Sequence, residues 1–355
     1  MHGAFIDRIF QNQEEYMAGK ITVGVIGAGR IGKIHVSNIV YYMPEAKVKT
    51  VADANLTPEI EAWAKSLGIP HVTKDAEEML RDPEISVVLI CSSTDTHADY
   101  IIKAAHAGKH IFCEKPVDLT IAKVKAALAA VKEAGVRLQI GFNRRFDHNF
   151  AHIRELTKSG ALGQVQLVKI TSRDPAPPPL AYVKVSGGIF LDMTIHDFDM
   201  ARFQAGSEVE EVFASGAVLV DPEIGKAGDV DTAIITLKFV NGALGVIDNS
   251  RKAVYGYDQR VEVFGSGGCA ATENDTPSQV RLSDGSGVHG DKPLYFFLER
   301  YRDAFIAEMK AFFEAIKAGS ETPVTGNDGL MNLAIGLAAK KSLAEHRPVK
   351  VSEVL

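Results

Sequence analysis

The sequence predicts two halves of different class. The first is α/β, a parallel doubly wound sheet, and the second is α+β, built on a mostly antiparallel open sheet. Three observations predict this. From Ile21 to about Gly141, short apolar strands alternate with amphipathic helical stretches, the pattern of a parallel sheet with crossover helices. After Phe150, strand-like runs follow one another across Gly, Asn or Asp turns, and consecutive strands without crossovers pair antiparallel. The 355 residues, 46% of them apolar, suffice for about two domains of ~150 residues.

Taken in order, strands are expected at 21–26, 47–52, 85–91, 110–113 and 136–140, with helices at about 30–42, 58–67, 96–107 and 120–134. Thr57 can cap the second helix with Pro58 in its first turn. Gly108 is a favoured helix stop, and Val124, Leu128 and Val131 share one helix face. The second half offers strands at 164–172, 212–219, 231–239, 243–249, 259–264 and 279–282. A long helix follows, with Tyr301, Phe305, Met309, Phe312 and Ile316 on one stripe, and then a last helix at about 329–344. The boundaries read as an N-terminal extension 1–20, a first domain 21–142, a second domain 143–328, and a final helix and tail 329–355 expected to pack back on the first domain.

Composition excludes several roles. A net charge of −6 provides no basic field for nucleic acid or anionic lipid. The apolar runs, such as Val87–Cys91, fall far short of the roughly 20 residues that span a bilayer. Cys91, Cys113 and Cys269 have no paired spacing, so they read as thiols of a reducing, cytoplasmic setting, not as a disulfide frame or zinc site. Phe5, Ile6, Ile9 and Phe10 form an apolar stripe in the extension without resembling a signal peptide. Met17, just before the first strand, is an alternative start, which the intact mass of the native protein tests.

The strongest motif is Gly27-Ala28-Gly29-Arg30-Ile31-Gly32, after an apolar strand and at the opening of a helix. In that context it is a dinucleotide loop: Gly27 for the tight turn, Gly29 for approach of the pyrophosphate, Gly32 for helix–strand packing. The free N–H groups and positive end of the helix favour phosphate. Asp53 ends the second strand and can accept from ribose hydroxyls. It repels a 2′-phosphate, and Ala54 and Asn55 provide no cation, so NAD is favoured over NADP. Arg30, in the loop, keeps NADP open.

Two further segments carry polar chemistry. Cys113-Glu114-Lys115-Pro116 ends a parallel strand, where ligands gather in open α/β sheets. In Ser186–Asp199, Asp192 and His196 stand at i and i+4 and share a face if the segment is helical.

With these motifs in hand, the chain resembles the glucose–fructose oxidoreductase / inositol dehydrogenase (Gfo/Idh/MocA) superfamily, most of all its inositol 2-dehydrogenases, over residues 21–350. The resemblance rests on Gly27–Gly32, Ser93-Thr94-Asp95-Thr96-His97, Glu114-Lys115-Pro116, Gly141–Asp147, the Asp192/His196 segment and Pro323–Gly329. It implies a Rossmann domain followed by a substrate and oligomerisation domain. It also implies NAD-dependent oxidation of a ring hydroxyl of myo-inositol to the 2-ketone. The alternatives are scyllo-inositol, another isomer or an aldose such as glucose, and, in another class, a non-catalytic NAD-binding transcriptional regulator. Intact Lys115, Asp192 and His196 argue against the last.

By the resemblance, His196 takes the hydroxyl proton, Asp192 orients it, and Lys115 stabilises developing charge and binds the polyol. Ser93, Thr94, His97, Glu114, Lys115 and Asn143 join the loop and Asp53 as cofactor residues. Arg145, Asp174 and one of Tyr255 and Tyr257 face the polyol, together with the catalytic group. The Lys115–Pro116 bond is expected to be a cis candidate. No metal, nucleic acid or membrane partner is implied, and self-association, as a homotetramer, is expected.

Overall fold

The computed structural model describes residues 19–355; the apolar stripe Phe5–Phe10 and Met17 lie outside the described residues. The chain divides into two compact units. The first comprises residues up to Asp118, Ala122–Gly141 and Ile306–Gly326; the second comprises Leu119–Ile121, Phe142–Phe305 and Asn327–Leu355.

The first unit holds a six-stranded parallel sheet: β1 Ile21–Ile26, β2 Ala46–Ala52, β3 His71–Thr73, β4 Val87–Ile90, β5 His110–Glu114 and β6 Leu138–Gly141, in the order β3-β2-β1-β4-β5-β6. β1 and β4 are buried along their whole length, as strands covered on both faces must be, which is why they read as continuous apolar runs. The order reverses between β1 and β4, the switch point at which open α/β sheets bind ligands. Helices α1 Arg30–Tyr42, α2 Pro58–Ser66, α3 Ala76–Arg81, α4 Thr94–His106 and α5 Ile121–Ala134 connect the strands. Thr57 caps α2 as expected, its Oγ1 accepting from Ile60 N at 3.4 Å. β3 and α3 escaped the sequence reading because three and six residues are too few to display a period.

The second unit holds a seven-stranded sheet of β7 Val165–Arg173, β8 Val209–Ala217, β9 Thr232–Phe239, β10 Leu244–Ser250, β11 Asp258–Gly265, β12 Gly268–Ala271 and β15 Val349–Lys350. Its order is β12-β11-β7-β10-β9-β8-β15. A separate hairpin pairs β13 Arg281–Asp284 with β14 Gly287–Gly290. Alternation is clean in β9, where Ala233, Ile235, Leu237 and Phe239 point inward. The sheet is mixed: β7 pairs parallel with β10, while its other neighbour β11 is antiparallel.

The expectation for the chain end is corrected. The segment that joins the first unit is most of the helix Arg302–Ala318, whose Met309, Phe312 and Phe313 enter a core with Val23, Val25, Leu89 and Phe112. The last helix, Gly326–Glu345, belongs from Asn327 onward to the second unit. There Gly336 lies so near Leu191 that a Cβ would stand 2.5 Å from its Cδ2, and β15 adds to the edge of β8.

Candidate functional sites

In the first unit the glycine loop has the geometry a pyrophosphate needs. Gly27 sits at φ +98°, a conformation that L side chains rarely adopt, and a Cβ there would lie 2.6 Å from the Cys91 carbonyl. Gly32 packs so closely that a Cβ would be 2.0 Å from Gly27 O. Beside Gly29, by contrast, a Cβ would meet nothing within 4 Å. Gly29 is the N-cap of α1 and has no side chain to satisfy the helix N–H groups, so those donors remain available to an anion. Arg30 is exposed and Ile31 half-buried beside it. Asp53 accepts from Ala28 N at 2.6 Å and from Asn55 N at 2.8 Å, which fixes a carboxylate at the end of β2 next to the loop.

The neighbouring strand ends are equally ordered. Ser93 is the N-cap of α4 and Thr94 its first residue. His97 is buried, with Nδ1 2.8 Å from Pro116 O and Nε2 3.0 Å from Ser92 O. The structure therefore makes His97 a brace between two strand-end loops, because both ring nitrogens face carbonyl oxygens of the protein. Glu114 is buried beneath the surface, 2.7 Å from His35 Nε2. Lys115 follows it, half-buried at the C-terminal end of β5, and the Lys115–Pro116 bond is cis.

In the second unit the helix expected across Asp192 and His196 is broken. α6 Ile189–Asp192 and α7 Thr194–Ala205 meet at Met193. Thr194 Oγ1 reaches back to Ile189 O at 3.2 Å and to Asn249 Oδ1 at 2.6 Å, and His196 N donates to Met193 O, not to Asp192 O. Side-chain competition for backbone acceptors explains the break. The start of α6 is fixed by Asp229, whose carboxylate accepts from Ile189 N.

Asp192 is gripped on both oxygens: Oδ1 accepts from Tyr182 Oη at 2.8 Å and Oδ2 from Arg251 Nη1 at 3.1 Å. Asp174 Oδ2 is 3.6 Å from the same Arg251 nitrogen. Burial pushes the Asp174 carboxyl up to about 6, with Arg251 pulling it down and Asp192 pushing it up. The His196 ring is edge-on to Phe142, 6.1 Å between centroids. Asn143 is buried in the turn that follows Phe142.

The structure separates the two arginines of that turn. Arg145 donates to Asp199 (Nε at 2.8 Å, Nη2 at 2.6 Å) and to Asp328 at 2.8 Å, so carboxylates of its own unit engage the guanidinium expected to face the polyol. Arg144 pairs with buried Asp197 at 2.6 Å and lies 3.5 Å from Tyr257 Oη, and the Asp174 carboxylate acts on its charge. Adjacent residues of a tight turn point to different sides, which sequence spacing alone does not assign. Tyr257 is the inward tyrosine, 5% exposed and edge-on to Tyr301 and Phe296. Tyr255 is exposed, donating to Asp258 at 2.6 Å and accepting from Arg173 at 3.1 Å. Arg144, Tyr182 and Arg251 were missed by sequence reasoning; a buried arginine at a strand end carries no periodic signal.

Among the described residues Asp147, His148 and Asp275 have ligand-type atoms within 4.8 Å of one another, but Arg300 pairs with both carboxylates, so an arginine already supplies the cation. No helix among the described residues is long and apolar enough to cross a membrane.

The chain is similar to known proteins over nearly its whole length. Residues 21–142 match the family described as "Oxidoreductase family, NAD-binding Rossmann fold", and residues 150–271 match the GFO/IDH/MocA C-terminal domain. The chain is 53% identical to the Myo-inositol 2-dehydrogenase of Thermotoga maritima, over 94% of this chain and 99% of the relative. It is 47% identical to the Inositol 2-dehydrogenase of Rhizobium meliloti, over 94% and 99%. Among solved structures, scyllo-inositol dehydrogenase from Lactobacillus casei with bound NAD(H) and scyllo-inositol superposes with TM-score 0.87 at 30% identity, over 94% of this chain and 99% of that one. The chain belongs to the Gfo/Idh/MocA family of oxidoreductases, and its first unit is that family's NAD-binding Rossmann domain.

Proposed function

We propose that this protein oxidises the 2-hydroxyl of myo-inositol to a ketone with NAD as acceptor. The observation that carries the reading is the 53% identity, across nearly the whole of both chains, to a protein named Myo-inositol 2-dehydrogenase. The Gly27–Gly32 cradle and the braced Asp192 support it.

NAD, when bound, supplies the hydride acceptor at nicotinamide C4. Gly27, Gly29, Arg30, Ile31 and Gly32 hold its pyrophosphate, and Asp53 its adenosine ribose. Ser93, Thr94, Glu114, Lys115 and Asn143 complete the cofactor set, with His97 acting through the backbone it braces. A secondary alcohol holds its proton tightly, so the C–H bond breaks toward the acceptor only as the O–H proton leaves. His196 takes that proton. Asp192 fixes the imidazole and stabilises its cation. Lys115 donates to the same oxygen as negative charge develops there. Asp174 and Tyr257 recognise neighbouring hydroxyls. The products are the 2-ketone, reduced cofactor and one proton.

The reading includes a homotetramer in the cytoplasm. The outward face of the second sheet supports self-association, with Phe213, Ile234, Leu244 and Phe264 exposed on four strands; light scattering that gives one chain per particle contradicts it. The unpaired cysteines Cys91, Cys113 and Cys269 support a reducing compartment.

Initial rates of NADH formation test the function, using myo-inositol, scyllo-inositol, D-chiro-inositol and glucose with NAD and with NADP. Preference for myo-inositol and NAD is expected. Activity on another polyol alone overturns the substrate, and silence with all four despite NAD binding favours a regulator.

A further inference from the structure

A buried cation stands between two acidic groups of the second unit. Arg251, just past the end of β10, is 2% exposed. Its Nη1 is 3.1 Å from Asp192 Oδ2 and 3.6 Å from Asp174 Oδ2, while its backbone N donates to Asp231 O at 2.8 Å. Its Nη2 is buried with no hydrogen-bond partner among the described residues. A half-satisfied buried guanidinium is costly, so the fold keeps it against a penalty of its own. Two carboxylates that approach one nitrogen this closely cannot both stay ionised in a dry site unless a cation lies between them.

We propose that Arg251 is a positioning residue for the reaction: one guanidinium holds Asp192 in place and keeps Asp192 and Asp174 ionised together. This rests on the reading of Asp192 as the partner of His196. An ionised Asp192 is what stabilises the imidazolium that forms when His196 accepts the alcohol proton; a protonated Asp192 does not. The other groups around the pair fit this assignment. Tyr182 donates a neutral hydrogen bond to Asp192 Oδ1 from the exposed side. The charge of Arg144 is matched by its own partner, Asp197, at 2.6 Å. Arg251 is the cation that brings one nitrogen to both Asp174 and Asp192.

The test compares Arg251→Gln and Arg251→Lys with wild type in two measurements. The first is the pH dependence of kcat/KM for myo-inositol with NAD. For R251Q the acid limb is expected to move up by about one pH unit, with activity at neutral pH lower by about tenfold or more; R251K, which keeps the charge, stays near the wild-type limb. A scaled-down profile with an unmoved limb in R251Q overturns the proposal. The second is the melting temperature from pH 4.5 to pH 7.5. Arg251 lowers the folded-state pKa of the Asp174 carboxyl, so its stabilisation is present at neutral pH and lost in acid. The R251Q deficit is expected to grow as pH rises, whereas a pH-independent deficit marks a packing role and overturns the proposal. If R251Q does not fold, R251K carries the comparison: its deficit is expected to stay small and flat across the same pH window, and a deficit that grows with pH overturns the proposal. A wild type that reduces no NAD with any polyol defeats the proposed function, while the melting series still decides the role of Arg251.

Discussion

The two units build their candidate sites from different material. The dinucleotide half is made of backbone. One six-residue loop supplies the turn, the open approach and the helix end, and Asp53 is tied to it through Ala28 N. The other half is made of side chains drawn from positions as distant as 144, 174, 192, 196, 251 and 257. They are held by buried ion pairs such as Arg144–Asp197 and Arg251–Asp192. A backbone site tolerates change in the rest of its domain as long as its glycines remain. A side-chain site depends on charge balance, and losing either partner of a buried pair leaves the other charged and desolvated.

That contrast is broken or sharpened by four substitutions. The largest effect is expected from His196→Gln, with kcat lower by about 10²–10⁴-fold and NAD affinity by calorimetry unchanged; a matching loss of NAD binding would erase the division of labour between the units. Arg145→Met comes next. It leaves Asp199 and Asp328 with Arg202 as their remaining guanidinium and is expected to cost about 3 kcal/mol in denaturant unfolding, while the KM of the folded protein changes little. A raised KM at full stability returns Arg145 to the polyol.

Asp174→Asn follows. The folded carboxyl sits at about 6 against an ordinary 3.8. Its raised value means that its favourable contribution is complete below about 3.8 and is lost as pH rises through 6. The amide is therefore expected to stabilise the protein at pH 7 by about 3 kcal/mol and to have no effect near pH 4. A constant difference across that window assigns Asp174 a packing role. The smallest effect belongs to Asp53→Ser, expected to weaken the preference for NAD over NADP by about fivefold to tenfold, from the ~1 kcal/mol that two unit charges 4 Å apart exchange in water. An unchanged ratio in cofactor-competition kinetics removes Asp53 from the selection.

The same contrast explains what the sequence disclosed. α1 is legible to the residue, 30–42, because an apolar strand, three glycines and a helix lie consecutively and each has one structural meaning. Thr57 and Pro58 mark the next helix start by local capping chemistry. The break at Met193 was not legible, because it depends on Thr194 bonding Asn249, 55 positions away. Nor were the different partners of Arg144 and Arg145, whose carboxylates Asp197 and Asp199 are themselves two residues apart. The chain end was misplaced for a related reason: Met309, Phe312 and Phe313 show an apolar stripe, but a stripe does not say which sheet it covers.

The central claim, hydride transfer from C2 of myo-inositol, is tested most directly with myo-inositol carrying deuterium on C2 and the wild-type enzyme with NAD, followed by mass spectrometry of the reduced cofactor. The account predicts one deuterium per molecule of reduced nicotinamide, on C4. Reduced cofactor without deuterium, or no reduced cofactor at all, would contradict it.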